Sequence, residues 1–144
     1  LRATEARQFY LKALQEDRHF AMAHLALANS ATSAREFFEA MERAVALSEV
    51  VSEGERLMIL AQDAGVRGEA AEQMELMTRL VELYPDDERA HFALAGLYGA
   101  RQEYEPAIEH YRRAAEIEPD FSPWPYRPSP WRWCSRFSAP WRKQ

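Results

Sequence analysis

The sequence has little of what most non-helical folds require. It holds one cysteine, Cys134, and five glycines among 144 residues, and no segment alternates apolar and polar residues for long. A single cysteine excludes an internal disulfide framework and a cysteine-rich zinc site. No apolar run approaches the roughly 18 residues of a membrane span. Because Ala, Leu, Glu and Arg are abundant and favour helices, the composition predicts an all-α protein.

The sequence also lacks the usual motifs of catalytic and cofactor sites. It contains no glycine-rich phosphate loop, no Ser/His/Asp constellation and no zinc-ligand spacing. The best candidates for chemistry are four histidines, His19, His24, His91 and His110. His19 and His24 are five residues apart and do not share a helix face. We therefore predict that the protein is not an enzyme, with no cofactor and no metal.

Charged and aromatic residues are distributed unevenly along the chain. All 23 acidic residues and 13 of the 18 basic residues lie within residues 1–120. Residues 121–144 carry five basic residues, all four Trp and five of the eight Pro, and no acidic residue. Because the two parts differ so much in composition, we expect them to be structurally distinct segments. We predict a helical domain over residues 1–120 and an irregular, basic, Trp/Pro/Arg-rich tail over residues 121–144.

A repeat of about 34 residues is visible in the helical part. The segments ELYPDD at 82–87 and EIEPDF at 116–121 place Pro85 and Pro119 34 residues apart. One unit further upstream, the period is 33. With these segments aligned, a large and a small residue recur together in three units: Leu27 and Ala28, Leu60 and Ala61, and Leu94 and Ala95.

Each unit has the pattern of two helices. In the last unit, apolar residues on a helical period predict one helix from about Glu88 to Ala100 and a second from about Tyr104 to Ile117. Pro106 lies in the first turn of the second helix, where a missing N–H costs nothing. Small residues between the large ones leave room for the two helices to cross closely.

Residues 88–121 alternate large and small side chains ahead of a terminal proline. The residues that carry this pattern are His91, Leu94, Ala95, Tyr98, Ala107, Tyr111, Ala114 and Pro119. The pattern resembles the tetratricopeptide repeat family, with His91 in place of the usual Trp. The earlier units depart from it further, because Gln73 replaces a small Ala and Ser52 stands where Pro is expected.

The resemblance implies an α-solenoid of antiparallel helical hairpins, the superhelix typical of this family. Its units here are half a repeat at 1–17 and whole repeats at about 21–53, 54–87 and 88–121. A solenoid end without a capping repeat leaves an apolar face open, so self-association through uncapped ends is a further expectation. Because the chain begins at Leu1 and not at Met, we expect upstream residues to be missing.

In this family, the second, fifth and ninth positions of each first helix face a concave groove. The equivalent residues here are Met22, Leu25, Asn29, Glu55, Met58, Gln62, Arg89, Phe92 and Gly96. The resemblance implies a protein–protein interaction scaffold whose apolar stripe seats a peptide or partner protein, while Asn29 and Gln62 hydrogen-bond the peptide backbone. Since these positions hold almost no cations, capture of a chaperone C-terminal carboxylate is not expected.

Other functions stay open. The chain could be a regulatory segment of a larger multidomain enzyme or transcription regulator. The Trp and Arg residues of the tail could contact an anionic membrane surface or single-stranded nucleic acid, and no such partner is expected elsewhere in the chain. The tail could instead fold back on the acidic helices, or be the product of a frameshift in GC-rich DNA. A cytoplasmic location is favoured.

Overall fold

The computed structural model describes residues 2–119, and this part of the chain is all-α. It contains seven α-helices and one 3-10 turn, Ser48–Val50, and the described residues form no strand. The helices are α1 (Arg2–Glu16), α2 (Ala21–Asn29), α3 (Ala34–Leu47), α4 (Glu53–Arg67), α5 (Ala70–Leu83), α6 (Glu88–Ala100) and α7 (Tyr104–Ile117). The all-α prediction is confirmed, and α6 and α7 have the bounds expected from the sequence.

The chain divides into two compact units, Leu1–Tyr84 and Pro85–Gln144. Unit 1 contains α1 to α5, and unit 2 contains α6 and α7. The division falls close to the boundary predicted between the repeats at 54–87 and 88–121. The predicted tail at 121–144 lies outside the described residues.

Helices that follow one another pack in pairs. In unit 1, α2 packs against α3 and α4 packs against α5, while in unit 2 α6 packs against α7. The connections are short, so the two helices of each pair run antiparallel. In unit 1, α1 packs against α2, and α3 also contacts α4.

Arg7 connects α1 to the helices that follow it in unit 1. Its guanidinium donates a hydrogen bond to the carbonyl oxygen of Ser30 at 3.2 Å, just past the end of α2, and forms an ion pair with Glu36 of α3. Tyr10 and Leu14 of α1 pack against the apolar core. One polar residue and two apolar ones therefore hold α1 against the next two helices.

The core of each unit is built largely from alanine. Ala44 and Ala64 in unit 1 and Ala90 and Ala95 in unit 2 are completely buried. A methyl side chain lets two helix backbones approach closely, and larger residues such as Ile59 fill the spaces that remain. Small residues at the crossings therefore set the spacing of the helices in each pair.

Gln73, the residue that departs from the small-residue pattern, lies opposite a glycine. A Cβ atom placed on Gly65 of α4 would lie 2.5 Å from Nε2 of Gln73 in α5. In unit 2 the equivalent pair is Gly99 and Ala107, and a Cβ on Gly99 would meet nothing within 4 Å. Gly65 therefore supplies the space that Gln73 takes, and the helices still pack closely.

Ser52, the residue that replaces the expected proline, caps α4. Its side-chain oxygen accepts a hydrogen bond from the backbone N–H of Glu55, and the Glu55 carboxylate accepts one from the backbone N–H of Ser52 at 3.1 Å. This reciprocal arrangement is a capping box, which satisfies backbone donors that an exposed helix start leaves unpaired. At the other end, Gly68 closes α4 with a left-handed backbone (φ 79°), which glycine adopts without strain.

Removal of the α4 cap is expected to destabilise unit 1. Ser52→Ala should lower the free energy of unfolding by about 1 kcal/mol, because one helix-start donor loses its partner. Ser52→Thr keeps a capping hydroxyl and should lose clearly less. Urea unfolding followed by circular dichroism checks this, and equal losses for the two variants would show that the cap contributes nothing.

The compensation between Gly65 and Gln73 is expected to appear as an energetic coupling. Alanine is favoured over glycine inside a helix by roughly 0.5–1 kcal/mol, so Gly99→Ala should stabilise the protein. Gly65→Ala should gain less or lose stability, because its methyl group crowds Gln73. In a Gln73→Ala background, Gly65→Ala should recover the gain.

A double-mutant cycle measured by urea unfolding checks the coupling. An interaction free energy between positions 65 and 73 that is indistinguishable from zero would contradict it.

Candidate functional site

A pair of side-chain amides connects α2 and α4, the first helices of the two whole repeats in unit 1. Nδ2 of Asn29, the last residue of α2, donates a hydrogen bond to Oε1 of Gln62 in α4 at 3.3 Å. Nε2 of Gln62 donates in return to Oδ1 of Asn29. Asn29 is exposed and Gln62 is partly exposed. We call these two residues the amide pair; they occupy equivalent positions of the repeats at 21–53 and 54–87.

Two methionines share a helix face with the amide pair. Met22 lies two turns before Asn29 on α2, and Met58 lies one turn before Gln62 on α4. Both pack against the apolar core of unit 1 and are partly exposed. Methionine is flexible and polarisable, so it adapts to irregular apolar partners. We call Met22, Asn29, Met58 and Gln62 together the α2/α4 surface.

Leu25, which was predicted to face the groove, lies in the core. Its side chain is 3% exposed and belongs to the same apolar cluster as Ala21 and Ile59. Tyr10 and Leu14 of α1 also pack against this cluster. The prediction that Leu25 contributes to an accessible surface is therefore corrected, because its side chain is used for packing.

Glu55 lies on the same face of α4 as Met58, but its carboxylate already has partners. It accepts hydrogen bonds from the backbone N–H and the hydroxyl of Ser52, at 3.1 and 2.7 Å. A ligand would have to compete with the capping box for this carboxylate. Of the four residues on the α2/α4 surface, none is charged, so this surface offers amide dipoles and apolar contacts instead of charge.

In unit 2, the three predicted groove residues are placed on α6. Arg89 is exposed and pairs with Asp87, the N-cap of α6, at 3.1 Å, an interaction that raises the pKa of Arg89. Burial alone would raise the pKa of Asp87, but hydrogen bonds from Arg89 and from the backbone N–H of Ala90 lower it overall. The side chain of Arg89 is therefore engaged within its own helix turn.

Phe92 and Gly96 of α6 lie near Tyr111 of α7. The rings of Phe92 and Tyr111 meet edge to face with centroids 5.2 Å apart, a favourable geometry for aromatic pairs. A Cβ on Gly96 would lie 3.9 Å from the Tyr111 hydroxyl, which is ordinary contact. Phe92 is half-buried and Gly96 is exposed, so this part of α6 presents little side-chain surface beyond the aromatic pair.

Two of the four candidate histidines are brought together, which the sequence did not indicate. Nδ1 of His91 in α6 lies 2.9 Å from Nδ1 of His110 in α7. In unit 1, His24 contacts the carbonyl oxygen of Arg18 at 3.0 Å, and His19 lies near Asp17. Among residues 2–119, no group of three or more His, Cys, Asp or Glu side chains could hold a metal ion.

Comparison with known proteins agrees with the repeat seen in unit 2. Residues 88–121 match the model of the tetratricopeptide repeat family. The chain is also similar to MamA, whose crystal structure is 22% identical, with 83% of this chain and 70% of that chain covered and a TM-score of 0.46. No curated protein matches the sequence. The resemblance to the tetratricopeptide repeat family is confirmed at residues 88–121, and proteins with such repeats are generally non-catalytic scaffolds.

No helix in the described part of the chain has the length and apolar character needed to cross a membrane.

The different environments of Leu25 and Met58 predict different costs of truncation. Leu25→Ala removes buried atoms and leaves a cavity, so it should lower the free energy of unfolding by about 2–5 kcal/mol. Met58→Ala should cost less, because this side chain already contacts solvent. Urea unfolding of the two variants checks the assignment; a Leu25→Ala loss no larger than that of Met58→Ala would contradict the burial of Leu25.

Proposed function

We propose that this chain is a non-catalytic scaffold that binds a peptide segment of a partner protein on the α2/α4 surface. The amide pair is the observation that carries the proposal. Two amides, one exposed and one partly exposed, lie at equivalent positions of α2 and α4 and form a polar row, and two partly exposed methionines lie on the same face. A protein-binding role also agrees with the tetratricopeptide repeat at 88–121.

The hydrogen bonds within the amide pair leave part of each amide available. A side-chain amide has two N–H donors and an oxygen with two lone pairs. Asn29 and Gln62 each use one donor and one lone pair on the other. Each therefore keeps one N–H and one lone pair. These can hydrogen-bond the C=O and the N–H of a peptide unit. The pairing fixes both side chains in advance, which reduces the entropy lost on binding.

The expected ligand is a neutral or basic peptide with an apolar side chain. Met22 and Met58 would contact the apolar side chain, because flexible thioethers adapt to partners of different shape. An acidic peptide is disfavoured, since residues 1–120 carry 23 acidic and 13 basic residues and the α2/α4 surface contributes no cation. This is consistent with the expectation that chaperone carboxylates are not captured.

The uneven charge of the chain favours a second candidate, in which the basic residues at 121–144 bind a nucleic acid or an anionic membrane. The two candidates differ in their response to salt. Binding to phosphates releases counterions and weakens steeply as salt rises. Binding to the uncharged α2/α4 surface should change little between 50 and 200 mM salt.

The test begins with affinity capture from a lysate of the source cell, using the full chain as bait, followed by measurement of Kd for the retained partner. We expect Met58→Ala and Asn29→Ala each to weaken binding about tenfold, which corresponds to about 1.4 kcal/mol. Met74→Ala serves as a matched control, because Met74 is also partly exposed but lies on α5. Its Kd should equal that of the unmodified chain.

Two results would contradict the proposal. One is equal Kd values for Met58→Ala, Asn29→Ala and the unmodified chain. The other is loss of the partner when residues 121–144 are removed, together with a steep salt dependence, which would assign binding to the basic segment.

A further inference from the structure

We propose that His91 and His110 form a pH-sensitive latch between α6 and α7, closed at neutral pH and weakened by acid because the facing ring nitrogens have room for only one proton. The latch lies wholly within unit 2 and does not depend on the proposed ligand surface. It is defined by three contacts: between the two imidazoles, between His91 and Pro85, and between His110 and Tyr98.

The hydrogen bond to Pro85 fixes where the proton of His91 lies. Nε2 of His91 is 3.0 Å from the carbonyl oxygen of Pro85, an acceptor that has no proton to give. Nε2 must therefore carry the proton and donate it. In neutral His91, Nδ1 is then an unprotonated acceptor.

This tautomer determines the state of His110. The two Nδ1 atoms are 2.9 Å apart, so one of them must donate a hydrogen bond to the other. Since Nδ1 of neutral His91 is an acceptor, Nδ1 of His110 carries the proton. The latch therefore runs from α7, through His91 in α6, to the backbone of the segment that precedes α6.

As the pH falls, the pair of imidazoles can take up protons in two steps. A first proton can enter at Nε2 of His110 without disturbing the bond between the Nδ1 atoms. A second proton would have to enter at Nδ1 of His91, which would place two N–H groups and two positive charges against each other at 2.9 Å. The rings must then separate, and the contact between α6 and α7 at this point is lost.

The surroundings of the pair disfavour a charge. His91 is 6% exposed and His110 is partly buried. Burial, followed by the neighbouring His91, lowers the pKa of His110, while the charge of Glu109 on α7 acts in the opposite direction. The ring of Tyr98 on α6 stacks on His110 with an interplanar angle of 11°. This ring attracts a cation, but it leaves the repulsion between two protonated Nδ1 atoms unchanged.

The other charged groups of the segment before α6 already have partners. Asp86 pairs with Arg113 of α7 at 3.0 Å, and Asp87 caps α6 and pairs with Arg89. Histidine is the side chain whose charge ordinarily changes near neutral pH, so the two imidazoles are the pH-sensitive groups at this contact.

The sign of the pH effect follows from proton linkage. In the unfolded chain both imidazoles titrate near the ordinary histidine value of about 6.5. The folded pair binds fewer protons below this pH, so the unfolded state takes up more protons as the pH falls. The stability contributed by the latch is therefore present above about pH 6.5 and is lost as the pH falls below it.

Amide hydrogen exchange of the full chain tests the latch, with rates corrected for the intrinsic effect of pH. Between pH 7.5 and 5.5, opening of the α6 and α7 amides should increase about tenfold, as expected when the folded pair excludes one of the two protons that the unfolded pair takes up below about pH 6.5. In His110→Asn the side-chain amide can donate to Nδ1 of neutral His91, and it can turn its oxygen to accept from Nδ1 when His91 is protonated. No proton is then excluded, so the increase should fall to about threefold or less.

His19→Asn is the matched control, because the His19 side chain is 83% exposed and lies outside unit 2. It should show the full increase in α6 and α7. Equal increases in His110→Asn and in the unmodified chain would overturn the proposal.

A direct titration of the unmodified chain gives a second test that requires no variant. The imidazole resonances of His91 and His110, followed by nuclear magnetic resonance, should show that the second protonation step of the pair has a midpoint below 6.5. The Nδ1 proton of His110 should also remain visible at pH 7.5 because it is held in the hydrogen bond to His91. A second step with a midpoint at or above 6.5 would overturn the latch even if His110→Asn fails to fold.

Discussion

The close approach of two antiparallel helices at small residues is the contact on which the rest of the structure depends. Ala64 in α4 and Ala95 in α6 are completely buried, and a larger side chain at either position would force its helix pair apart. With short connections and few glycines, each pair has one compact way to bury its apolar face. At Gly65 the absence of a side chain leaves space that the end of the Gln73 side chain occupies.

This packing also determines which residues are left for binding. The second helices of unit 1 bury part of their apolar surface against the first helices, although Phe38 of α3 and Leu83 of α5 remain exposed. The first helices keep one partly exposed face, on which the amide pair joins α2 to α4 while Met22 and Met58 remain accessible. In unit 2, by contrast, the corresponding positions are engaged in an ion pair and an aromatic contact. The two units therefore offer different chemistry at equivalent positions of the repeat.

Much of the fold could be predicted because it follows from local pattern. The apolar period and the phased prolines predicted the approximate bounds of α6 and α7, and the two helices have these bounds. The repeat also placed Asn29 and Gln62 at equivalent positions, although it did not indicate that their amides bond to each other. Periodicity assigns a residue to a helix face, and it does not describe what lies against that face.

The remaining features could not be predicted because they depend on contacts between elements. Leu25 and Met58 occupy equivalent positions, but Leu25 is buried within the core cluster against which α1 packs. His91 and His110 are 19 residues apart, and their rings meet only after α6 and α7 have paired. His91 stands in the repeat pattern where Trp is usual, and the pattern carried no signal of a partner imidazole.

The most direct test of the account is hydrogen–deuterium exchange of the chain with and without its captured partner. The account predicts slower exchange in α2 and α4 around Met22 to Asn29 and Met58 to Gln62, with little change in α3 and α5. Slower exchange confined to α3, α5 or residues 121–144 would contradict it, because the binding surface would then lie away from the first helices.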